Sequence, residues 1–410
     1  LLQEDLKTSS LGVLPAAKMK VSDLFITLSS ALDMGNIEVL DHSRRVAYIV
    51  LEIADLLNLN KELKKQIVLA ALIHDIGIIT YNDKHKAQTI FEVDEDLAES
   101  HCKRGADLVR QLEFLPNLSK IILFHHHRWS GGNFNNVKGD KIPLGSRIIH
   151  LADRIEAQIN PDYYILHQVD SIVEEITAKS GTWFDPALIP VFSLLAKKES
   201  FWLNLKSEQY NIILRKWGKE TRTRFNLTDL EQVASVVAHL IDRVSPFTSR
   251  HSSGVAMIAA MIAADLGYNS KEQRAIRIAG LFHDLGKLII PNEIIEKEGE
   301  LTKGEYQIIK QHSFYTYRML NRIEGLGSIP EWAAFHHERL DGTGYPFHIG
   351  EKCLNIGSRI MAVSDVFQAL TEDRPYRKAF TISHAVQIIE DMERQGKLDL
   401  DIIKVLKNAL

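Results

Sequence analysis

Histidine and aspartate recur in this chain at spacings that suit metal chemistry. His42 and His74 stand 32 residues apart, and so do His251 and His283. The second histidine of each pair is followed by aspartate, Asp75 or Asp284, then by an apolar residue and a glycine. The next histidines, His101 and His312, come 27 and 29 residues later, and His-His pairs lie 24 residues beyond each, at His125-His126 and His336-His337. Asp153 and Asp365 close the two series, 27 and 28 residues past His126 and His337. A lone histidine on an apolar face is usually a satisfied core residue. Five histidines and two aspartates repeated in register are not explained that way. Imidazole and carboxylate suit iron, manganese, zinc or nickel, and both ligate only when deprotonated. An adjacent His-Asp pair near a helix end directs two ligands about 100° apart, so they can serve different metals or bridge them. Seven ligands per series are too many for one open catalytic metal, but they suffice for two metals sharing a carboxylate and a hydroxide. A water between two cations becomes hydroxide near neutral pH, and each cation can stabilise charge on a phosphoryl group in transfer.

Helices must carry these ligands. Strand signals are weak, while apolar residues recur at helical spacing. In Lys271 to Lys287, residues Ala275, Ile276, Ala279, Phe282 and Leu285 face one way against Lys271, Glu272, Arg274 and Arg277. The spacing predicts a mostly buried helix stopped at Gly286. Lys64 to Gly77 reads the same way. Further helices are expected over Arg44–Leu57, Val255–Leu266, Lys303–Leu320, Ser358–Leu370 and Ile382–Gln395. Loops rich in Gly or Pro, Ser130–Gly139 and Asp341–Gly350, interrupt the pattern at matching places. The fold class is therefore all-α, and the matched series make the chain a tandem duplication. The boundary is expected where periodicity is least clear, between about Leu195 and Thr228, giving domains 1–205 and 206–410.

Bulk properties agree. A chain of 410 residues is long for one core, and 45% hydrophobic with 25% charged residues is an ordinary globular balance. A net charge of −4 gives no reason to expect a polymeric nucleic acid as partner. Cys102 and Cys353, one per half, read as reduced thiols of a cytosolic protein. No apolar run approaches the roughly 20 residues that span a bilayer. The residues from Leu1 to Asp5 lack a basic segment leading into an apolar core, so no secretion signal is expected, and the missing initiator Met points to a processed or trimmed end. The expected location is the cytoplasm, with no membrane partner.

His251, His283-Asp284, His312 and Asp365 resemble the HD phosphohydrolase superfamily. The segment His336-His337-Glu338-Arg339-Leu340-Asp341-Gly342-Thr343-Gly344-Tyr345-Pro346 resembles the HD-GYP family within it. Leu285-Gly286-Lys287, Ile290-Pro291 and Arg374-Pro375-Tyr376-Arg377 extend the likeness, which covers roughly Ser245 to Phe380. The resemblance implies one metal held by His251, His283, Asp284 and Asp365. A second would be held by His312, His336 and His337, with Asp284 bridging and a metal-bridging hydroxide as the attacking group. It implies two tandem HD-type bundles and a phosphodiesterase of cyclic dinucleotides. The substrate would be cyclic-di-GMP, linearised to pGpG and on to GMP, or 3′3′-cyclic GMP-AMP. Family members with a third metal have glutamate four residues before the first histidine. Phe247 stands there, so the second copy is expected to be dinuclear, with iron or manganese ahead of nickel or zinc. Curiously, Glu38 holds that place in the first copy.

Catalysis is expected from Asp284 and Lys287, and substrate binding from Lys287, Asp341, Tyr345, Arg374 and Arg377. The Lys287 ammonium would reach a phosphate oxygen or the leaving oxygen; otherwise it is a charge favoured at a helix C-terminus. Tyr345 either meets a base edge or packs its loop. Arg374 and Arg377 resemble the family's phosphate clamp, with arginine second where lysine is commoner.

The first copy keeps a full ligand set: His42, His74, Asp75, His101, His125, His126 and Asp153. It lacks the substrate machinery, since Ile78 aligns with Lys287, Ser130 with Asp341, and Asn133-Phe134-Asn135 with Gly344-Tyr345-Pro346. Asp162 and Ile165 occupy the registers of Arg374 and Arg377. Arg128 and Arg154 are the cations left near it. It reads as a degenerate domain that regulates, dimerises or senses, with metals of its own and a homodimer or signalling protein as partner. A second phosphohydrolase and vestigial core histidines are the other readings. For the whole chain, the competing classes are an HD phosphohydrolase of another nucleotide or a phosphomonoester, and a non-enzymatic nucleotide-sensing adaptor.

Overall fold

The computed structural model describes residues 13–16, 19–34, 41–78, 95–221, 224–244, 250–295, 297, 299–373 and 378–410. Nearly all regular structure in them is helical, as expected. The strands among the described residues are two-residue segments, Met19–Lys20 and Arg224–Phe225, at the two places where the chain passes from one compact unit to the other.

The first unit, residues 20–223, contains α1 (Val21–Met34), α2 (His42–Leu56), α3 (Lys61–Leu72), α4 (Glu95–Val109), α5 (Leu118–Leu123) and α6 (Leu144–Ala157). It continues through α7 (Val169–Ala178), α8 (Ile189–Ala196), α9 (Glu199–Lys206) and α10 (Gln209–Glu220). The second unit, residues 1–19 and 224–410, contains α11 (Leu227–Val244), α12 (His251–Asp265), α13 (Ser270–Phe282), α14 (Asn292–Ile295) and α15 (Lys303–Leu320). Then come α16 (Ile329–Ala334), α17 (Ile356–Thr371), α18 (Ile382–Arg394) and α19 (Leu400–Ala409).

The units part at Thr223/Arg224 rather than at the expected 205/206. The reason is α10, whose Tyr210, Leu214 and Trp217 are buried against α1 and α2 and whose Tyr210 hydroxyl donates to Asp41 Oδ2 at 2.6 Å. Lys20 onward belongs to the first bundle, while the segment before it serves the second. There, Val13 donates to Ser328 Oγ at 2.9 Å, Ser328 to the Val13 carbonyl at 2.8 Å, and Ala16 to the Gly325 carbonyl at 2.7 Å.

Each bundle has a central helix whose first residue is a candidate ligand, α2 with His42 and α12 with His251. Helix α12 lies against α13, α17 and α19, burying Val255, Ala256, Ala259, Ile262 and Ala263. Its start is anchored from behind. Asp242 on α11 accepts from Ser252 Oγ at 2.7 Å, and in the first bundle Asp33 on α1 accepts from Ser43 Oγ and N, both at 3.0 Å. Helix α13 begins with a capping box, Asn269 and Glu272 satisfying each other's amides, so its register is set from the N-terminus. Thr302 and Glu305 do the same for α15.

Gly286 does not stop its helix. The α-helical hydrogen bonding ends at Phe282, and Gly286 lies inside a 3₁₀ segment, Leu285–Ile289. What requires glycine is the approach of α15: a Cβ at Gly286 would sit 2.0 Å from the His312 carbonyl oxygen. Gly77 meets the His101 carbonyl at the same 2.0 Å in the first bundle. In each copy a hydrogen atom in place of a methyl lets the third ligand helix close on the His-Asp turn. Gly286→Ala should therefore cost about 1–3 kcal/mol of stability by overpacking and lower the metal content of the second bundle. Gly304→Ala, with nothing within 4 Å, should be neutral or stabilising. Urea denaturation and metal analysis of the two variants check this.

Candidate metal centre

In the second bundle, α13 ends directly at His283 and Asp284. The His283 Nδ1 faces the Gly280 carbonyl at 2.8 Å, His312 that of Ile309 at 2.7 Å, and His336 that of Ala333 at 2.7 Å. A carbonyl can only accept, so each Nδ1 carries the proton and each Nε2 is left with its lone pair facing inward. Burial pulls His312 down to about 4 and His336 to about 3, and holds His337 well below the ordinary imidazole value. His312, His336 and His337 are thereby held neutral at neutral pH, the form that ligates.

The expected ligands converge. His251, His283 and Asp365 place donor atoms within 4.8 Å of one another, and so do His312, His336 and His337. Asp284 stands between the two groups. Its Oδ2 lies 3.2 Å from His283 Nε2 and 4.0 Å from His251 Nε2, while its Oδ1 lies 3.4 Å from His312 Nε2. Asp365 is placed likewise, with Oδ1 3.2 Å from His251 and Oδ2 3.7 Å from His337 Nδ1. Burial opposes the charge on Asp284, yet His283, Lys287 and His312 hold its carboxyl well below the usual range. The Nε2 of His283, fully buried, makes no hydrogen bond among the described residues. A buried nitrogen with a free lone pair beside two carboxylates is costly without a cation. The donor set fits two divalent metals.

Lys287 Nζ reaches Asp284 Oδ2 at 2.5 Å from one turn on, so the expected cation is at the metal ligands. Tyr345 packs its ring 4.7 Å from that of His337, and burial pushes its hydroxyl up. Asp341 is exposed and accepts from Thr343 N at 2.9 Å and Oγ1 at 2.7 Å, closing its own turn rather than joining the ligand cluster. Arg374 and Arg377 lie outside the described residues, as do Phe247 and Glu38.

Three features escaped the sequence reading. Glu372 Oε1 lies 2.9 Å from His251 Nδ1, turning the first ligand; with Asp365 it outweighs burial and raises His251 to about 9. Tyr306 stands edge-on to Tyr345 at 6.4 Å with Lys310 Nζ 4.9 Å above it, an aromatic and cationic rim on the helix that carries His312. Glu338, only 1% exposed, accepts from the amides of Phe347 at 2.7 Å and Ile349 at 3.0 Å, which folds the Gly-Tyr-Pro loop back onto the His-His pair. Gly344 is needed there, because a Cβ would lie 2.4 Å from Glu338 Cα and Arg339 N.

The seven first-copy residues also converge, Asp153 through its Oδ1 at 3.3 Å from His42 Nε2. Asp75, His101, His125 and His126 form one group within 4.8 Å, and His42, His74 and Asp75 another. Around them the loop differs. Asn133 accepts from Arg128 N at 2.8 Å and donates to the Val137 carbonyl at 2.7 Å, tying the loop to itself. Cys102 and Cys353 are both free, Cys102 buried with Sγ 3.5 Å from His125 Nδ1.

Glu338→Gln would set an amide NH₂ against one of the two loop amides it now accepts from, at a cost of about 1–3 kcal/mol. Faster hydrogen exchange over 341–350 and a raised KM are expected, with metal content unchanged. Unaltered exchange would show that the loop is held by something else.

The HD domain family model matches this chain twice, over residues 27–188 and 235–402. A 3′3′-cGAMP-specific phosphodiesterase 1 of Vibrio cholerae is 30% identical over 391 residues, 93% of this chain and 90% of the relative. The cyclic di-GMP phosphodiesterase response regulator RpfG of Xanthomonas campestris is 32% identical over 192 residues, 45% of this chain and 50% of its own. Among solved structures, a cyclic GMP-AMP-specific phosphodiesterase of V. cholerae (V-cGAP3) superposes with a TM-score of 0.65 at 25% identity, covering 96% of this chain and 98% of that one. No helix among the described residues is long and apolar enough to cross a membrane. The chain belongs to the HD-domain family, with two HD domains in tandem, and stands among its HD-GYP phosphodiesterases.

Proposed function

We propose that the second HD domain hydrolyses a cyclic dinucleotide with two divalent metals, and that 3′3′-cyclic GMP-AMP is the preferred substrate. The observation that carries the chemistry is Asp284, whose two oxygens face two separate histidine groups while Lys287 sits on one of them. His251, His283 and Asp365 would hold one cation and His312, His336 and His337 the other, with Asp284 shared; iron or manganese suits this mix of imidazole and carboxylate. When bound, such a pair supplies positive charge against phosphoryl oxygens and a water acidic enough to ionise near neutral pH.

The chain's own groups do the rest. The Lys287 ammonium, about one quarter exposed (24%), is within the length of its side chain of an oxygen bound at the cluster and favours the leaving 3′-oxygen as charge develops. His337, also 24% exposed, leaves the cluster open on the side that Tyr345 and Tyr306 flank. Their rings offer π faces to a purine, and bases stack on aromatic side chains without strict sequence choice. Preference for cyclic GMP-AMP over cyclic-di-GMP is supported by the relative that spans both copies, which is named for the former; RpfG, named for the latter, matches under half of the chain.

Product chromatography of both cyclic dinucleotides, with protein purified without air, tests the reading. Linear dinucleotide should form from cyclic GMP-AMP faster than from cyclic-di-GMP, and the reverse order would overturn the preference. Asp284→Ala should lose metal and at least 100-fold in turnover. Lys287→Ala should keep its metals and lose about 10²–10³ in kcat, as for removal of one charge-stabilising donor. Undiminished hydrolysis in Asp284→Ala would sink the mechanism.

A further inference from the structure

The first HD domain repeats the second almost atom for atom at its centre. Asp75 Oδ2 lies 3.5 Å from His74 Nε2 and 3.8 Å from His42 Nε2, and its Oδ1 lies 3.6 Å from His101 and 3.8 Å from His125. Asp153 Oδ1 lies 3.3 Å from His42 and its Oδ2 3.8 Å from His126 Nδ1. His74 and His125 turn their Nδ1 atoms to the Ala71 and Ile122 carbonyls, at 2.8 and 2.6 Å, so their Nε2 atoms face inward. The Nε2 of His74 is buried and makes no hydrogen bond among the described residues. Histidines retained only as packing would be expected to drift apart or find partners. These have stayed together, and His74 Nε2 has found no partner among the described residues.

The positive charge has moved. Ile78 stands in place of Lys287, and Arg154, 2% exposed, donates to Asp153 Oδ2 through Nε at 3.1 Å and Nη2 at 2.7 Å. Its third nitrogen, Nη1, is buried and makes no hydrogen bond among the described residues. A guanidinium is always charged and presents fixed donors suited to planar or tetrahedral oxyanions. The mouth has narrowed too, since the His126 side chain is 9% exposed where its counterpart His337 is 24%. His150 stands edge-on to His126 at 6.2 Å and stacks on Trp183 at 6.0 Å, with Arg128 4.4 Å above that ring.

We propose that the first domain is a second dinuclear metal site, closed to dinucleotides, that binds an inorganic oxyanion of phosphate size through its metals and Arg154. Metal analysis of the full chain purified without air should find about four divalent ions. It should find about two after His312→Ala/His336→Ala, and two metals in the wild type with none in that variant would overturn the proposal. In the same variant background, calorimetric titration with inorganic phosphate should show binding, whereas a nucleoside monophosphate should not bind. Binding of the monophosphate would refute the closed mouth. Arg154→Gln should keep the metals and weaken phosphate binding at least tenfold, and Arg154→Lys should recover much of it. Equal affinity in all three would remove Arg154 from the site. If Arg154→Gln lost its metals by unfolding, Arg154→Lys alone would decide: metals kept with phosphate binding near the unsubstituted level supports the proposal, and no phosphate binding overturns it. Turnover of cyclic dinucleotide, measured separately, reports on the second domain only.

Discussion

Burying imidazoles whose ring nitrogens converge on shared carboxylates is the constraint on which both bundles are built. Such rings are held in place because their far nitrogens find backbone carbonyls three residues earlier. For His74, His125, His283 and His336 those carbonyls lie in the last turn of a helix or just after it, where they have no intrahelical partner. The helix end thus satisfies its own carbonyl and fixes a ligand's tautomer in one bond. Helix length is therefore not free to vary. One more α-helical turn after Phe282 would consume the Gly280 carbonyl and turn His283 away from Asp365.

Around this shared centre the two domains have diverged in where they keep positive charge and how they close. In the second, Lys287 sits on Asp284 and the Gly-Tyr-Pro loop is folded back by Glu338, leaving His337 partly open. In the first, Arg154 sits on the other carboxylate and asparagine side chains seal the loop. The same histidines and aspartates are thus surrounded by different charged groups and differently tied loops.

The candidate ligands stand out in the sequence because each occupies the same place in two copies, and the structure brings them together from helix ends such as His283 and helix interiors such as His312. Helix limits such as Lys303–Leu320 agree with the apolar pattern. Partners that differ between copies left no such trace. The carboxylate behind the first histidine comes three residues after Asp153 in one copy, as Glu156, and seven after Asp365 in the other, as Glu372, so no register could reveal it. Asp33 and Asp242 do repeat, each ten residues before its serine, yet their role depends on a helix crossing that spacing alone does not specify. Gly286 was legible as a glycine and misread in purpose, since what it meets is a carbonyl on another helix. The boundary shifted because α10 has an apolar face whose destination is a matter of tertiary packing.

The segment from Val13 to Ala16 pairs with residues 325–328, just before α16 and the His336-His337 pair. In chain order the first domain is therefore an insertion within the second. A ribosome releases that segment long before its partners exist, while every element of the first domain is complete by Thr223. The first domain has all its residues before Arg224, whereas the second completes this pairing only once residues 325–328 have followed.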